Sequence, residues 1–440
     1  MKVFLITIFV LILSHCSFDN KTGIWKNNNE IIEKKKDEYK GFKKLYTEEK
    51  LFNQIISPNK NLKILPEPIK LNKKWLDEFY QDTNNSDNFS YKNLNNKVFQ
   101  SKKLSRHQTK DKILFDGENF LITDIRGNII VYSVKYQKII FKYNFYKNEF
   151  KGLKKNLNII IEKNIVYTVD NLGYSYALNY VEQKLLWAKN YKIPFRSNIK
   201  IFKDKIVAAN SDNTLFYLDK FSGNKIKSLP SEEVSIKNEF VNSIAVSKDT
   251  LYYLNTFGSI YSINNEGRIN WFLNINQHSE IDTNNLFNSH PLILHKDKII
   301  ISTEKYFYIF NSFNGSRLVR APITSIVKPI VSNKNIFIIT KNNLLVCINI
   351  DTGSINYSLD ISEEIANFLV TKKKNVIVKT LSMLNNNLYV LLDNSYYIRF
   401  SPNGKITEVK NLPAKLGSYP IFVNDFIMFL NKNKKLIFVN

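Results

Sequence analysis

Residues 157–190 read LNIIIEKNIVYTVDNLGYSYALNYVEQKLLWAKN, and this stretch decides the fold. It contains four short runs rich in Ile, Val, Leu and Tyr, at 157–161, 165–169, 174–179 and 184–190, separated by tight turns. Runs of this length with many β-branched and aromatic residues are typical of strands and are too short for helices. The stretch therefore predicts one unit of four β-strands.

The turn after the second strand of this unit recurs along the chain. Because the chain has only 13 glycines, Asn and Asp, which tolerate left-handed backbone angles, occupy many of these turns. A repeat of roughly 40 to 50 residues is the length of a four-stranded propeller blade, so the recurrence predicts a β-propeller. The recurring turns lie at residues 122–127, 168–173, 209–213, 254–258, 302–305, 339–343 and 391–395.

The number of blades depends on how the ring closes. Seven complete units end near Pro413, and residues 419–440 contain about three further strands, one short of a blade. A three-stranded last blade would leave a long unpaired edge, which a strand at residues 95–104 can fill. We therefore predict an all-β, eight-bladed β-propeller of four-stranded blades closed by this N-terminal strand. A ring of seven blades is the alternative.

The N-terminus has the pattern of a secretory signal. Lys2 precedes an apolar run at residues 3–13, which is too short to span a bilayer. The letters LSHC at residues 13–16 resemble a bacterial lipobox, where signal peptidase cleaves before a cysteine whose thiol carries a lipid. We predict that Cys16 is lipidated. Because His15 replaces the usual small residue, an ordinary signal cleaved elsewhere is the alternative.

The sequence divides into a signal peptide at residues 1–16, a polar tether at 17–70 and the propeller at 71–440. Ser17 stands where an Asp commonly retains lipoproteins at the inner membrane, so the resemblance implies the outer membrane. Apolar residues between 31 and 46 lie partly at helical spacing, and a short amphipathic helix in the tether is a second possibility.

The formal net charge of +24 is compatible with an anionic partner. Lys, Asn and Ile are abundant along the whole chain, however, and Lys in solvated turns is the simpler interpretation. Neither a dense Lys/Arg stripe nor a nucleic-acid motif stands out, so we expect no nucleic-acid partner.

The sequence shows no catalytic constellation. Cys16 and Cys347 are the two cysteines and cannot form a vicinal redox pair. A G-x-S-x-G elbow, a P-loop and a dinucleotide fingerprint are absent. We therefore predict no catalytic residue, no metal site and no cofactor, and expect two of the histidines to pair with backbone beside an inner strand, His290 and His295. All five histidines lack metal-ligand spacing: His15, His107, His278, His290 and His295.

The turns before the outer strands resemble the quinoprotein-type repeat, A-x-D-x-x-T-G-x-x-x-W. The best copies are residues 177–187 and 347–357, and weaker copies end at Trp271 and run through 219–225. In that motif the polar residue and Gly form the hairpin, while the aromatic residue packs between neighbouring blades. The resemblance implies that Trp187 and Trp271 are architectural.

Lipobox, tether and eight such blades together resemble the BamB family of propeller lipoproteins, over roughly residues 65–440. Members of that family are not enzymes. They bind the periplasmic domains of the barrel subunit BamA and help nascent outer-membrane proteins to fold and insert. The resemblance implies a scaffold anchored to the outer membrane and facing the periplasm, with a BamA-like partner.

The family's contact loop has a hydrophobic-x-hydrophobic-Arg pattern between two blades, which Ile193, Phe195 and Arg196 match here. An exposed aromatic residue beside an Arg is also a favourable interface anchor. The next loop of the family supplies acidic residues, and Glu239 is the one acid at the matching place. The alternative is that Phe195 covers the junction between blades and Arg196 is solvated.

Two other functions remain open. A quinoprotein-like periplasmic dehydrogenase shares the repeat but needs a quinone pocket, a bound Ca²⁺ and, in many members, adjacent cysteines. A ligand-binding or adhesion propeller with another partner is the second.

Overall fold

The computed structural model describes residues 54–146, 150–233, 241–278 and 287–440, together with the backbone of 16–18 and 25–27. Strands β1 (Cys16–Phe18) and β2 (Trp25–Asn27) pair antiparallel within one compact unit, Met1–Thr47. Glu48–Asn440 form the second unit. The predicted apolar signal and the possible tether helix lie outside the described residues.

The second unit contains eight sheets, each with four blade strands. Two strands come before blade 1 in the sequence and pair with later blades: β3 (Asn88–Phe89) and β4 (Lys97–Lys103). Blades 1 and 2 contain β5 (Leu114–Phe115), β6 (Asn119–Thr123), β7 (Asn128–Ser133), β8 (Lys138–Asn144), β9 (Leu157–Glu162), β10 (Ile165–Asp170), β11 (Tyr174–Asn179) and β12 (Lys184–Asn190). Blades 3 and 4 contain β13 (Lys200–Phe202), β14 (Lys205–Ala209), β15 (Leu215–Asp219), β16 (Lys225–Leu229), β17 (Ser243–Val246), β18 (Thr250–Leu254), β19 (Ser259–Asn264) and β20 (Ile269–Asn274).

Blades 5 and 6 contain β21 (Ile293–His295), β22 (Lys298–Ser302), β23 (Phe307–Asn311), β24 (Arg317–Ala321), β25 (Ile330–Ser332), β26 (Asn335–Ile339), β27 (Leu344–Asn349) and β28 (Ile355–Asp360). Blades 7 and 8 contain β29 (Val378–Leu384), β30 (Asn387–Leu392), β31 (Tyr396–Phe400), β32 (Ile406–Asn411), β33 (Ile421–Val423), β34 (Phe426–Leu430) and β35 (Lys435–Val439), with β4 as the fourth strand of blade 8. The predicted eight-bladed ring is confirmed, and the seven-bladed alternative is wrong.

Ring closure follows the sequence prediction. Strand β4 pairs antiparallel with β35, and Phe99 lies opposite Phe438 with ring centroids 4.6 Å apart. The Leu436 N–H donates to Ser101 Oγ at 2.8 Å. The N-terminal strand therefore covers the edge that three C-terminal strands would leave unpaired.

In the recurring turn, the side chain of an Asp or Asn accepts hydrogen bonds from backbone N–H groups of the turn. In blade 1 the Asp124 carboxylate accepts from the N–H groups of Arg126 at 3.0 Å and Asn128 at 3.1 Å. This arrangement is an Asx-type turn, which Asp and Asn form readily. Equivalent residues accept at the same two positions in other blades: Asp170, Asn210, Asn255 and Asn431.

Aromatic residues of the outer strands pack between blades, as the repeat implies. The Trp187 indole donates to Lys220 O in blade 3 at 3.0 Å and lies against Gly223, whose φ is +71°. Trp271 donates to Ser312 O in blade 5 at 3.0 Å in the same way. A side chain at Gly223 would collide with the indole, so Gly serves both the turn and the packing.

One α-helix interrupts the repeat among the described residues. Helix α1 (Ile361–Leu369) lies between blades 6 and 7. It begins after Asp360, whose carboxylate accepts from Ser362 N at 2.9 Å and Glu363 N at 3.1 Å. The spacing of apolar residues in the sequence does not predict this helix. A short 3₁₀-helix, Ile275–His278, follows blade 4.

The inner strand of each blade meets an additional segment. The first strand of every blade is buried and the fourth is largely exposed or half-buried, so the first lies innermost. Residues 72–89, here called the centre segment, contact these inner strands in order around the ring. At blade 8, Asn424 N donates to Asn72 O at 2.8 Å, and at blade 1 Trp75 and Phe115 exchange two backbone hydrogen bonds. At blade 7, β3 pairs in parallel with β29.

Between these points the centre segment bonds to blades 2 to 6. The contacts, in blade order, are Leu76 O with Ile161 N (2.9 Å), Asp77 Oδ2 with Lys200 Nζ (2.8 Å), Asp82 O with Val246 N (2.8 Å), Thr83 O with Leu294 N (2.9 Å) and Asn85 Nδ2 with Val331 O (2.9 Å). The segment thus satisfies inner-edge groups of all eight blades. Neither the repeat nor the strand pattern predicts it. Residues 54–70, assigned to the tether, include Ile56, which pairs with Ser358 of blade 6.

Candidate functional site

The predicted contact loop, residues 193–196, connects β12 of blade 2 to β13 of blade 3. Phe195 is only 2% exposed and packs against Tyr191 and Phe216, with ring centroids 5.8 and 5.7 Å away. The expectation that Phe195 is exposed is therefore wrong. Its ring fills the junction between two blades, where apolar burial is more favourable than exposure.

The backbone of this loop is fixed on three sides. Phe195 N donates to Asp170 O of blade 2 and Arg196 N donates to Ala209 O of blade 3, both at 2.9 Å. Asn242 N, which precedes blade 4, donates to Arg196 O at 2.8 Å. These bonds hold the loop in one conformation before any partner arrives, which lowers the entropy cost of binding.

Two side chains of the loop remain available to a partner. Ile193 and Arg196 are half-buried, and Pro194 between them is exposed. Within the described residues, the Arg196 guanidinium makes no hydrogen bond or ion pair. A guanidinium presents five donors in a rigid fork, suited to carboxylates or backbone carbonyls of another protein.

Glu239 lies outside the described residues, and its predicted role stays a prediction. An earlier acid of the same connection, Glu232, is well placed in the structure. It accepts from Tyr261 OH at 2.6 Å, Ser259 Oγ at 2.9 Å and Asn255 Nδ2 at 3.0 Å. Burial opposes ionisation, but these hydrogen bonds together hold the pKa of Glu232 below its usual value. The residue next to it, Glu233, is exposed.

Sequence reasoning missed Glu232 because a single acid in a connection gives no sign of its partners. Those partners come from blade 4, more than twenty positions along the chain. Glu232 anchors the beginning of the connection between blades 3 and 4, and Asn242 at the end of this connection bonds to Arg196 O.

The histidines that flank the inner strand of blade 5 pair with backbone, as expected. His290 Nε2 lies 2.9 Å from Ser325 O, and His295 Nε2 lies 3.1 Å from Asn333 O. Burial lowers the pKa of both imidazoles. Among residues with described side chains, no group of three His, Cys, Asp or Glu side chains could hold a metal ion.

The two cysteines differ in what the structure describes. Cys347 is a free, fully buried thiol of blade 6, where burial raises its pKa to about 12. Only the backbone of Cys16, in β1, is described, so lipidation of this residue stays a prediction. In the described part of the chain, every helix is too short or too polar to cross a bilayer.

The ring of four-stranded blades, the inter-blade Trp contacts and the recurring turns define the class of this protein: an eight-bladed β-propeller of PQQ-type repeats. Residues 151–359, which span blades 2 to 6, match a family model described as outer membrane protein assembly factor BamB. Over these blades the chain is thus similar to the BamB family. Among curated protein sequences, none matches the chain.

Similar solved structures include a BamB protein and two dehydrogenases. BamB from Moraxella catarrhalis has 13% identity and a TM-score of 0.61, covering 78% of this chain and 99% of its own. The quinohemoprotein alcohol dehydrogenase from Comamonas testosteroni has 8% identity and a TM-score of 0.63, covering 83% of this chain and 80% of its own. A europium-containing methanol dehydrogenase has 10% identity and a TM-score of 0.58, covering 83% and 89%. At these identities the likeness establishes the fold alone.

Proposed function

We propose that this protein is a non-catalytic scaffold of the machinery that assembles outer-membrane β-barrel proteins. In this role it binds the periplasmic domains of a BamA-like barrel subunit and assists folding and insertion of nascent outer-membrane proteins. The observation that carries the proposal is the match of blades 2 to 6 to the BamB family model. The proposed contact loop at residues 193–196 lies within the matched region.

The loop supports partner binding through its rigidity and through the Arg196 guanidinium, which has no partner among the described residues. Its backbone bonds to blades 2 and 3 hold Arg196 in place, and Ile193 adds partly exposed apolar surface beside it. We assign the direct contacts to Ile193 and Arg196, with Phe195 as the buried support that positions them. Glu239 completes the proposed surface from the next connection.

A quinoprotein-like dehydrogenase is the second candidate, favoured by the fold likeness to the two dehydrogenases. We favour the scaffold because the centre segment occupies the inner edges of all eight blades. Asp77 and Lys200 form a buried ion pair there, with Nζ and Oδ2 2.8 Å apart. A ligand-binding or adhesion propeller would differ from the scaffold in its partner. The capture experiment distinguishes these two functions.

The capture experiment uses the full-length tagged protein in detergent-solubilised envelopes. We expect a BamA-like barrel subunit, identified by mass spectrometry, to be enriched with the wild type and lost with Ile193→Ala/Arg196→Ala. Arg268→Ala is the matched control, because Arg268 is an exposed arginine on a turn of blade 4. Enrichment of other proteins without a BamA-like subunit would contradict the scaffold assignment.

The proposed location is the outer membrane, with the protein facing the periplasm and anchored through a lipid on Cys16. We expect Cys16→Ser to abolish metabolic labelling by a fatty-acid analogue and to release the protein into the periplasmic soluble fraction. Cys347→Ala removes the buried thiol and should keep the label. Equal labelling of wild type and Cys16→Ser would refute the anchor.

A further inference from the structure

A basic cavity lies where blade 1 meets the connection to blade 2. Its volume is about 370 Å³, in the range of small-molecule sites. Cationic and amide side chains dominate its wall, which gives it an unusual concentration of donors. The lining residues are His107, Arg126, Asn128, Lys142, Asn144, Tyr146, Lys151 and Lys155.

Four of these side chains are permanent or near-permanent cations, and none has a carboxylate partner in the part of the chain that the structure describes. Within the described residues, no ion pair involves Arg126, Lys142, Lys151 or Lys155. Elsewhere in the same ring even exposed lysines find partners: Lys203 lies 2.9 Å from Asp249. Among the described residues, the cavity therefore concentrates positive charge that no carboxylate neutralises.

Two of the cations are held in place by backbone groups. The Arg126 guanidinium donates from Nη1 to Lys151 O, and Lys155 Nζ donates to Phe150 O. Lys155 is only 5% exposed, and its ammonium lies 5.3 Å from the centroid of the Tyr146 ring. An almost buried ammonium held beside a guanidinium is unfavourable unless an anion compensates it.

Two carboxylates of the described turns nearby, Asp124 and Asp170, are already engaged by other groups. Asp124 accepts from Ser105 Oγ at 2.8 Å and from the Asn128 side chain at 2.9 Å. Asp170 accepts from Tyr146 OH and from backbone N–H groups of its own turn. Burial and the adjacent Arg126 charge lower the pKa of Lys155, which agrees with a site that lacks its counter-ion.

We propose that this cavity binds a phosphate-bearing ligand. Arg126 and Lys142 supply charge-assisted donors, Lys155 supplies a preplaced ammonium at the wall, and the Asn128 and Asn144 side chains can complete the coordination of phosphate oxygens. The volume accommodates a phosphate group with part of the organic group attached to it. The phosphate belongs either to an anionic phospholipid headgroup or to a free phosphate compound.

The test uses inorganic phosphate and the full-length protein in isothermal titration calorimetry at low ionic strength. We expect saturable binding that Lys142→Gln/Lys151→Gln weakens at least tenfold, because both side chains line the cavity and are exposed enough to leave the fold intact. Lys102→Gln/Lys154→Gln removes the same charge from exposed positions outside the cavity and should bind as the wild type does. Arg126→Gln is the second cavity variant and should also weaken binding.

Vesicles of phosphatidylethanolamine and phosphatidylglycerol distinguish the two sources of phosphate when every protein tested also carries Cys16→Ser, so that a lipid anchor does not contribute to co-sedimentation. If the cavity variant loses both phosphate binding and vesicle co-sedimentation, the ligand is a lipid headgroup. If it loses phosphate binding alone, the ligand is a free phosphate compound. Absence of saturable phosphate binding by the wild type, or equal weakening by both charge-matched variants, would overturn the proposal. Neither result bears on capture of a BamA-like subunit, so the two proposals fail separately.

Discussion

Lys200 of blade 3 donates from Nζ to Asp77 Oδ2 of the centre segment at 2.8 Å, and the lysine side chain is 0% exposed. The same ammonium donates to Gln81 O at 2.7 Å. A buried charge of this kind is stable only while its partner remains. The ion pair therefore holds the centre segment to the ring. Losing one partner should destabilise the protein more than replacing both.

We expect Asp77→Asn to destabilise the fold by about 3–5 kcal/mol, because it leaves the Lys200 ammonium buried without a countercharge. Replacing both partners, as Asp77→Leu/Lys200→Met, should cost less than the single change. Urea unfolding followed by fluorescence measures both. The exposed pair of Lys203 and Asp249 is the control, and Lys203→Met should cost about 1 kcal/mol at most. A single and a double variant of equal stability would show that the pair is not coupled.

Truncated proteins show separately how much the tether and the centre segment contribute to thermal stability. Removing residues 17–53 should leave the melting temperature nearly unchanged, because within the described residues the bonds to the blades begin at Ile56. Removing 17–91 keeps the closing strand β4 but takes away hydrogen bonds to all eight inner strands, so it should lower the melting temperature strongly. Removing 17–105 also removes β4 and should destabilise the ring further.

Differential scanning calorimetry of the three truncated proteins gives this order directly. A 17–91 deletion that melts like the wild type would show that the ring does not depend on the centre segment. A 17–105 deletion that melts like the 17–91 deletion would contradict the role of β4 in closure.

Lys328 gives a prediction about pH. Its ammonium donates to Asn84 O at 2.6 Å and Ser86 Oγ at 3.1 Å in the centre segment. Burial, together with the nearby charges of Lys200 and Lys112, lowers the pKa of Lys328 from 10.5 to about 7, while Asp77 and Asp87 oppose the shift. The unfolded chain therefore binds more protons than the folded chain between pH 7 and 10.5.

The free energy of unfolding should accordingly rise with pH across this range, as the buried lysine becomes neutral in the folded state. Lys328→Met should flatten the rise between pH 7 and 9, and the exposed Lys334→Met should keep the wild-type slope. Urea midpoints measured at a series of pH values test this difference. Parallel slopes for all three proteins would show that Lys328 does not titrate in this range.

The strands and the ring closure could be predicted from the sequence. The four strands of blade 2 lie where the short apolar runs predict them, and β4 lies within the predicted 95–104. These elements depend on local composition and on a repeat that eight blades share. Ring closure followed from the physical cost of an unpaired edge.

The centre segment could not be predicted because its contacts are neither local nor periodic. Its residues 81–88 read QDTNNSDN, which favours a loop by composition. In the folded chain, Asn84 Nδ2 donates to Ile244 O at 3.0 Å and Leu292 O at 2.9 Å, groups from two different blades. Amide side chains thus replace strand pairing there, and only the assembled ring supplies their partners.

Phe195 shows the same limit at the candidate site. A loop aromatic next to an Arg fits both an exposed anchor and a buried spacer, and the local pattern does not separate them. Its burial depends on Phe216 of blade 3, which lies 5.7 Å away between ring centroids. The sequence left both interpretations of Phe195 open, and the structure supports the buried one.

Substitutions of Phe195 and Arg196 should therefore affect different properties, stability for Phe195 and partner binding for Arg196. Phe195→Ala should destabilise the protein by about 3–5 kcal/mol, because it removes a buried ring and leaves a cavity between blades. Arg196→Ala should leave the melting temperature nearly unchanged, since its guanidinium makes no bond within the described residues. Its loss should weaken binding to the periplasmic domains of a BamA-like subunit by about 2 kcal/mol, roughly thirtyfold.

Surface plasmon resonance with the purified periplasmic domains, alongside thermal melting, separates the two effects. Phe195→Leu is a useful intermediate, because it keeps much of the buried apolar volume and should recover part of the stability. Arg196→Lys keeps the charge but loses the forked donor geometry, so it should restore binding only in part if the guanidinium makes more than one bond. Wild-type affinity in Arg196→Ala would remove this loop from the interface, whatever the stability of Phe195→Ala.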